Sequence, residues 1–375
     1  MVFEFGFSGD DIDAVVHSQG EFLSPVAANF PASAPADAFP IPGKPQLPPR
    51  HHPLTELLSL LPSKIAFNRL EVDLDDGSVL FVPRRELWDV RVQLMAEEEG
   101  DVHREGLGEH DVKTGIYEGG FKSWESSVDL IKVLASENLQ SSLYGRPSRI
   151  IELGCGTALP SIAVFQRAMA LQSSQAQPLT FVMADYNPSV LQLITLPNFL
   201  LAWAFQHQQS HATLEDAFSL DEELEITPEL LEAFKLYLLE RKIQLSFISG
   251  GWCKEFIQLL YSLPASTTTA EVSKSTPVTL ILGAETIYSP FALQAFTETV
   301  FALLSHEQMA LSAEASAFVA AKRLYFGVGG SLDDFVERAR GKGGIITWKR
   351  EETAGVARGV VHCHAPTRDG MPCIS

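Results

Sequence analysis

A short apolar stretch that ends in a glycine-rich turn constrains the fold of this chain more than any other feature. Residues 150–159 read Ile-Ile-Glu-Leu-Gly-Cys-Gly-Thr-Ala-Leu, which predicts a buried strand, a tight turn and the start of a helix. Gly154 and Gly156 let a ligand approach the backbone closely, and Glu152 adds a carboxylate at the strand end. A dinucleotide-binding turn needs a third small residue so that its helix can pack close to the pyrophosphate, and this chain has Leu159 at that position. The turn therefore favours a ligand without a pyrophosphate. A tight turn without a ligand is the alternative.

Strands and helices alternate on both sides of this turn, which predicts an α/β fold with one sheet and helices on both faces. The predicted strands are at 149–153, 179–184, 244–249, 279–283, 320–328, 344–350 and 356–365. The predicted helices of the same domain are at 126–136, 159–171, 189–205, 253–262 and 291–304.

Composition and turn signals divide the chain into three parts. Residues 1–53 are predicted to be largely disordered, because the stretch from 25 to 53 is crowded with Pro and Ala and buries too little apolar surface. Residues 54–110 form an N-terminal extension, and residues 111–375 form the main domain. The extension is predicted to contain a helix at 54–61, a hairpin of strands at 64–72 and 78–83, and an acidic loop at 95–110. A helical insertion at 206–242 includes a helix that starts at Thr227-Pro228.

The charge balance limits the classes of partner. The formal net charge is −19, from 28 basic and 47 acidic residues. Such a field repels phosphate backbones, so we expect no direct nucleic-acid binding. It would steer a basic protein towards the site, although an acidic surface that only serves solubility has the same composition.

The cysteines and the apolar runs indicate the compartment. The four cysteines contain no CxxC pair, which is typical of a reducing compartment, the cytosol or the nucleus. We expect neither secretion nor a membrane span, because the first residues lack a basic leader and no apolar run reaches bilayer length. His362 and His364 share a strand face without an evident third ligand, so we assign no metal. We expect a monomer.

Two further positions suggest an adenosine-binding site. Asp185 ends the second strand, where a carboxylate can accept both ribose hydroxyl protons. The alternative is that Asp185, or Asn187 beside it, caps the next helix. Trp252 follows Gly250 and Gly251 directly after the third strand, so its indole is placed either to stack on adenine or to fill the core at a turn.

Several motifs in order resemble the histidine protein methyltransferase 1 family. They are KTGIYEGGFKSWESS (113–127), IELGCGTALPS (151–161), ADYNPSVLQLITLPN (184–198), LGAETIYSP (282–290) and YFGVGG (325–330). The resemblance spans about residues 111–330. It implies a Rossmann-like, seven-strand class I methyltransferase that uses S-adenosyl-L-methionine. It also implies methyl transfer to a histidine ring nitrogen of a basic ribosomal protein, large-subunit protein three, in the cytosol or nucleus.

The resemblance also implies a donor-binding set, ordered from the methionine end to adenine. Near the methionine end it places four residues of the first motif, with the glycine-rich turn beside them. The full set is Lys122, Trp124, Glu125, Ser126, Glu152, Gly154, Cys155, Gly156, Asp185, Tyr186, Asn187, Gly250, Gly251, Trp252 and Ala284. Relatives often carry Ser or Asp near the position of Ala284, and the insertion after Asn198 is longer than expected. These two departures leave the binding of the donor intact and bear on how the substrate is recognised.

The catalytic hypothesis concerns the loop after the fourth strand. Glu285 and Tyr288 lie where related enzymes carry an Asp-x-x-Tyr substrate motif. We expect Glu285 or Asn187 to accept the second ring N–H of the target histidine, while Tyr288 walls the ring. Alternatively, Glu285 caps the next helix and Tyr288 belongs to the core. Residues 326–330 are either a substrate-side loop or a close-packed bend.

Two other functions share these motifs. A methyltransferase that acts on protein lysine or on a small molecule would carry the same donor site. A scaffold that binds the donor without catalysis would do so too.

Overall fold

A computed structural model describes residues 38–97, 120–137, 143, 145–171, 177–210, 212–215, 217–218, 222–263, 275–325 and 330–366. The strands are β1 (Arg50–His52), β2 (Lys64–Asp73), β3 (Val79–Arg85), β4 (Ser148–Leu153), β5 (Leu179–Asp185), β6 (Glu223–Glu225), β7 (Ile243–Ser249), β8 (Val278–Ala284), β9 (Glu314–Lys322), β10 (Ile345–Glu352) and β11 (Arg358–His364). The helices are α1 (Leu54–Ser59), α2 (Leu87–Glu97), α3 (Glu125–Ser136), α4 (Leu159–Ala170), α5 (Pro188–His207), α6 (Ala212–Glu215), α7 (Pro228–Glu240), α8 (Lys254–Ser262), α9 (Pro290–Ala310) and α10 (Leu332–Gly341).

The central sheet has the strand order β1-β7-β5-β4-β8-β9-β11-β10. The strands from β7 to β9 are parallel, whereas β11 runs antiparallel to both of its neighbours. From β4 the chain proceeds through β5 to β7 on one side and then crosses to β8 on the other. In open α/β sheets, ligands bind at the carboxyl ends of the strands where the order reverses in this way. The predicted α/β fold with seven methyltransferase strands is confirmed, and β1 is an additional strand.

The central strands are apolar because both faces of the sheet are covered. Ile150 of β4 packs with α3, α4 and α5 on one face, whereas Ile151 and Leu153 pack with α8, α9 and α10 on the other. All three side chains are fully buried. Alternate residues of a strand point to opposite faces, so β4 contributes to both halves of the core and holds the following turn rigidly.

Helix α5 carries a structural irregularity close to that turn. Residues Leu191–Thr195 form one π-helical turn inside the helix, a feature that is frequent at functional sites. Within the described residues, Pro188–His207 is a helix long and apolar enough to span a membrane, but 78% of its most apolar window is buried in the fold. This burial is that of a core helix.

The structure confirms the predicted hairpin and the start of α7. Strands β2 and β3 pair antiparallel, and the Thr227 hydroxyl caps α7 by accepting a hydrogen bond from the Leu230 amide at 3.2 Å. The insertion at 206–242 also supplies β6, which pairs with β2. The insertion therefore completes a small sheet with the N-terminal extension.

Three predictions about secondary structure are wrong. Of residues 1–53, which were predicted to be largely disordered, 38–53 are ordered because β1 pairs with the otherwise open edge of β7, and 1–37 lie outside the described residues. Strand β9 begins six positions before the predicted 320–328, because small alanines fit a strand that is covered on both faces. The loop predicted at 95–110 is wrong at 95–97, which belong to α2, and its residues 98–110 lie outside the described residues. Helices α2 and α10 were not predicted.

Candidate functional site

The glycine-rich turn between β4 and α4 is tightly enclosed by other segments. Gly154 and Gly156 have φ of +64° and +48°, conformations that favour glycine. A Cβ at Gly154 would lie 2.6 Å from Cγ2 of Thr286, and one at Gly156 would lie 3.0 Å from the carbonyl oxygen of Gly120. The segments before α3 and after β8 therefore pack directly against the turn.

Two polar side chains of α5 hold the turn through hydrogen bonds to its carbonyl oxygens. The Thr195 hydroxyl donates a hydrogen bond to the carbonyl oxygen of Gly156 at 2.7 Å, and the Asn198 amide donates to that of Thr157 at 2.9 Å. Both side chains are fully buried. Oδ1 of Asn198 also accepts a hydrogen bond from the Arg85 amide at 2.7 Å. Asn198 therefore joins the turn to the N-terminal hairpin.

Arg85 extends this connection to the π-helical turn. Its buried guanidinium donates to the carbonyl oxygen of Leu193 at 3.0 Å, to Asp89 at 2.7 Å and to Gln93 at 2.7 Å. A π turn leaves helix carbonyls without their usual partners, and Arg85 supplies a donor for one of them. The N-terminal extension thus supports the base of the site, a role that the sequence did not indicate.

Asp185 lies beside the turn at the carboxyl end of β5. Its Oδ2 accepts a hydrogen bond from the Gly156 amide and its Oδ1 one from the Asn187 amide, each at 3.0 Å. Asn187 occupies the N-cap position of α5 without a side-chain cap bond. Both carboxylate oxygens of Asp185 thus act as hydrogen-bond acceptors, the chemistry that a pair of sugar hydroxyls requires.

Glu152 is directed into the protein. The side chain is 2% exposed, and its Oε2 accepts hydrogen bonds from the amide of Ser161, at 3.1 Å, and from the hydroxyl of Ser161. Burial raises the pKa of the Glu152 carboxyl to about 8, and the Asp185 charge adds to this while the bonds from Ser161 oppose it. The carboxyl holds the start of α4, and its contact with a donor stays a prediction.

Glu285 lies between two hydroxyl donors on the other side of the turn. Its Oε1 accepts a hydrogen bond from the Ser126 hydroxyl, and its Oε2 accepts one from the Tyr325 hydroxyl at 2.5 Å. The cap of α9 is Ser289, whose hydroxyl accepts a hydrogen bond from the Ala292 amide at 3.1 Å. The alternative that Glu285 caps this helix is therefore wrong.

A small polar cluster beside two aromatic rings surrounds Glu285. Burial raises the pKa of the Glu285 carboxyl, whereas the hydrogen bonds from Ser126 and Tyr325 and the charge of Lys322 lower it. The ammonium of Lys322 lies 5.2 Å from the ring centroid of Trp124 and 5.8 Å from that of Tyr325. Neither Lys322 nor Tyr325 was predicted as a site residue, although Tyr325 begins the YFGVGG motif.

The predicted adenine side gathers at the carboxyl ends of β5 and β7. The Gly250 amide donates to the carbonyl oxygens of Asp185 and Tyr186 at 3.1 and 3.2 Å. Trp252 is half-buried, with its ring centroid 5.8 Å from that of the core residue Phe296. A Cβ on Gly154 would lie 3.7 Å from the Trp252 ring. The indole therefore borders the turn and packs on the core at once.

Comparisons with known proteins identify the family. No protein-family model matches the chain. Histidine protein methyltransferase 1 of Saccharomyces cerevisiae is 33% identical over 356 residues, which cover 89% of this chain and 89% of the relative. The chain belongs to the histidine protein methyltransferase 1 family. The Schizosaccharomyces pombe protein of that name is 32% identical over 76% of this chain and 75% of its own length.

The solved structures that are similar to this chain are more distant. The human methyltransferase 10 domain containing protein has a TM-score of 0.31 at 13% identity, covering 74% of this chain and 96% of its own. A putative type 11 methyltransferase from Sulfolobus solfataricus has a TM-score of 0.27 at 10% identity, covering 64% of this chain and 97% of its own. These scores are too low to bear on the fold, which rests on the strand order.

Membership in the histidine protein methyltransferase 1 family implies S-adenosyl-L-methionine as the methyl donor. The chemistry of the site fits this group, because a turn with two glycines is bordered by an accepting carboxylate, Asp185, and by the aromatic Trp252. Cys155 is buried within the turn, and its amide donates to the carbonyl oxygen of Ala184 at 2.9 Å. Ala284, the last residue of β8, is partly buried next to Glu285.

The remaining family-derived residues lie at the start of α3. Glu125 begins the helix, and its carboxylate lies 3.9 Å from a guanidinium nitrogen of Arg358. Lys122 is partly buried in the segment that precedes this helix. Gly330 has φ of +93°, and a Cβ there would lie 2.4 Å from the carbonyl oxygen of Ile287. The rest of the predicted substrate-side loop, 326–329, lies outside the described residues.

Proposed function

We propose that this chain transfers a methyl group from S-adenosyl-L-methionine to a ring nitrogen of a protein histidine. The observation that carries the proposal is the arrangement at the carboxyl edge of the sheet, where the strand order reverses. There, the turn at Gly154 and Gly156 is flanked by Asp185 on one side and by Glu285 on the other. Family membership supports the histidine as the acceptor, because the relatives are named for that activity.

The donor would be held along the carboxyl edge of the sheet. Gly154, Gly156 and the segment that ends at Ser126 would hold its methionine part, Asp185 its ribose, and Trp252 would border its adenine. When bound, S-adenosyl-L-methionine supplies a sulfonium methyl group; a nitrogen lone pair would attack its carbon in line while the bond to sulfur breaks and S-adenosyl-L-homocysteine leaves. The protein therefore has to align the acceptor and exclude water, and it needs no strong base.

The acceptor requires control of its tautomer. The imidazole of an ordinary histidine has a pKa near 6.5, so its neutral form predominates at about pH 7. A group that accepts the second ring N–H leaves the reactive nitrogen with a free lone pair. Glu285 suits this role because Ser126 and Tyr325 hold its oxygens in place, and Asn187 is the second candidate. Tyr288 is half-buried after the same strand and would form a wall for the ring.

The substrate and compartment belong to the same proposal. The net charge of −19 favours encounter with a basic protein, and we propose a ribosomal protein, large-subunit protein three, in the cytosol or nucleus. The enzyme would act as a monomer.

Product analysis tests the reaction. The full chain is incubated with methyl-labelled S-adenosyl-L-methionine and purified large-subunit ribosomal proteins, and the labelled protein is hydrolysed to amino acids. The proposal expects methylhistidine in protein three. Methyllysine would indicate the other acceptor, and donor binding without any label transfer would indicate a scaffold; either result would contradict the proposal.

The catalytic assignments need their own variants. Glu285→Gln is expected to lower kcat about tenfold or more, because an amide can rotate to present a donor to the ring N–H. Tyr288→Phe tests the ring wall, and its effect should appear mainly in KM for the protein substrate. The matched control is Glu337→Gln, an exposed position on α10. Normal turnover in both site variants with normal donor affinity would refute the assignments.

A further inference from the structure

Residues 38–49, here called the N-terminal strap, run along the edge of the sheet where the proposed donor site lies. Strand β1 pairs antiparallel with β7, and Arg50 lies opposite Ser249, the last residue of β7. The chain before Arg50 therefore continues beyond the carboxyl end of β7. His52 fixes this register, because its Nε2 lies 2.8 Å from the Ser249 hydroxyl oxygen and both side chains are buried.

Main-chain hydrogen bonds attach the strap to two predicted donor-binding residues. The Gly251 amide donates to the carbonyl oxygen of Leu47 at 2.9 Å. The amide of Leu47 donates to the Tyr186 hydroxyl at 3.1 Å. The Gln46 amide group closes the strap on itself by donating to the carbonyl oxygen of Ala38 at 2.9 Å. The strap thus reaches from the end of β7 to the end of β5.

The pair of glycines after β7 leaves room for the strap. A Cβ at Gly250 would lie 2.5 Å from the carbonyl oxygen of Pro48, and Gly250 also has φ of +103°. A Cβ at Gly251 would lie 2.6 Å from Nε2 of Gln46. These glycines were interpreted above as positions that admit an adenine ring. The structure shows that the backbone of the strap occupies part of the space that they leave.

Phe39 connects the two halves of the site. Its side chain is 6% exposed. Its ring centroid lies 6.1 Å from that of Trp252 and 6.1 Å from that of Tyr288, the latter edge to face. Trp252 belongs to the proposed adenine side and Tyr288 to the proposed substrate side. One residue of the strap therefore orients both aromatic rings.

We propose that the N-terminal strap is the outer wall of the adenine end of the donor site, so that donor affinity depends on it. This inference rests on the proposed function, because it takes the adenosine group as the ligand at this edge. Its consequence is that Phe39 and Gln46, which lie outside the motif-bearing region, determine how tightly the adenosine part is held.

Calorimetric titration of the full chain with S-adenosyl-L-homocysteine tests the proposal. Phe39→Ala should raise the Kd about tenfold, since the orienting ring contacts are lost. Gln46→Ala should raise it about fivefold, since the strap loses its closing hydrogen bond. The control is Leu60→Ala, an apolar residue outside the strap that is 45% exposed; its Kd should stay within about twofold.

The melting temperature without ligand separates binding from folding. A wall of the site requires the Kd to rise in Gln46→Ala while the ligand-free melting temperature stays close to that of the unsubstituted chain. If Phe39→Ala does not fold, Gln46→Ala decides by itself. Unchanged Kd values in the folded strap variants would overturn the strap proposal alone. If the unsubstituted chain releases no heat, the proposed donor site is wrong and the strap proposal falls with it.

Discussion

Glu152→Gln should make the free energy of unfolding less dependent on pH. The carboxyl is 2% exposed, and both of its hydrogen bonds come from Ser161 to one oxygen. A glutamine amide oxygen can accept the same two bonds with almost the same volume. The substitution therefore removes the titrating proton and leaves the packing and the start of α4 in place.

The magnitude follows from the buried environment. A pKa of about 8, against an ordinary 4.5, corresponds to about 5 kcal/mol between the two protonation states. Because the folded pKa of Glu152 lies above the unfolded one, its contribution is fully present below about pH 4.5 and is lost as the pH rises through about 8. The unsubstituted chain should thus lose about 5 kcal/mol relative to Glu152→Gln over this range.

Urea unfolding at about pH 5, 7 and 9, without any donor, measures this difference. The free energy of unfolding of Glu152→Gln minus that of the unsubstituted chain should grow by several kcal/mol from the lowest to the highest pH. Glu337→Gln, which replaces an exposed carboxyl on α10, is the reference for the general effect of removing one negative charge. A change with pH for Glu152→Gln no larger than that for Glu337→Gln would refute the reasoning that the carboxyl is buried and proton-bound.

Three further substitutions test other parts of the site. Gly156→Ala should weaken donor binding about tenfold or more in calorimetry, because its Cβ would press on a neighbouring carbonyl; Gly77→Ala, also at positive φ but in open space, should not. Asn198→Ala should lower the free energy of unfolding by roughly 2–4 kcal/mol in urea titrations, because two buried backbone groups lose partners. Tyr325→Phe removes a donor that lowers the pKa of Glu285, so the acidic limb of the kcat profile should move to higher pH; an unmoved limb would contradict this link.

Sequence reasoning worked best where the signal is local. The pattern at 150–159 combines an apolar run, glycines and a following helix, and each element has the predicted form. The order of strands and helices then placed Asp185 and Glu285 at one edge of the sheet. Local patterns sufficed because parallel strands in an α/β fold bring their carboxyl ends together.

Long-range contacts explain what was missed. The Pro-rich strap has too little apolar content to predict order, and long-range contacts hold it in place: its hydrogen bonds with Tyr186 and Gly251 and the rings around Phe39. Arg85 and Asn198 are separated by more than one hundred residues, so nothing local links them. Polar residues within the apolar helix α5 were the available signal. Tyr325 lay in a motif that was noted, but its bond to Glu285 depends on the loop after β8.

The central claim is that the turn after β4 and the carboxylate of Asp185 hold the methyl donor. The most direct test is the calorimetric affinity of the full chain for S-adenosyl-L-methionine, measured beside Asp185→Ala and Gly154→Arg. We predict one binding site in the unsubstituted chain, markedly weaker binding in Asp185→Ala and none in Gly154→Arg. An unsubstituted chain that does not bind the donor, or two variants that both bind it as tightly as the unsubstituted chain, would contradict this claim.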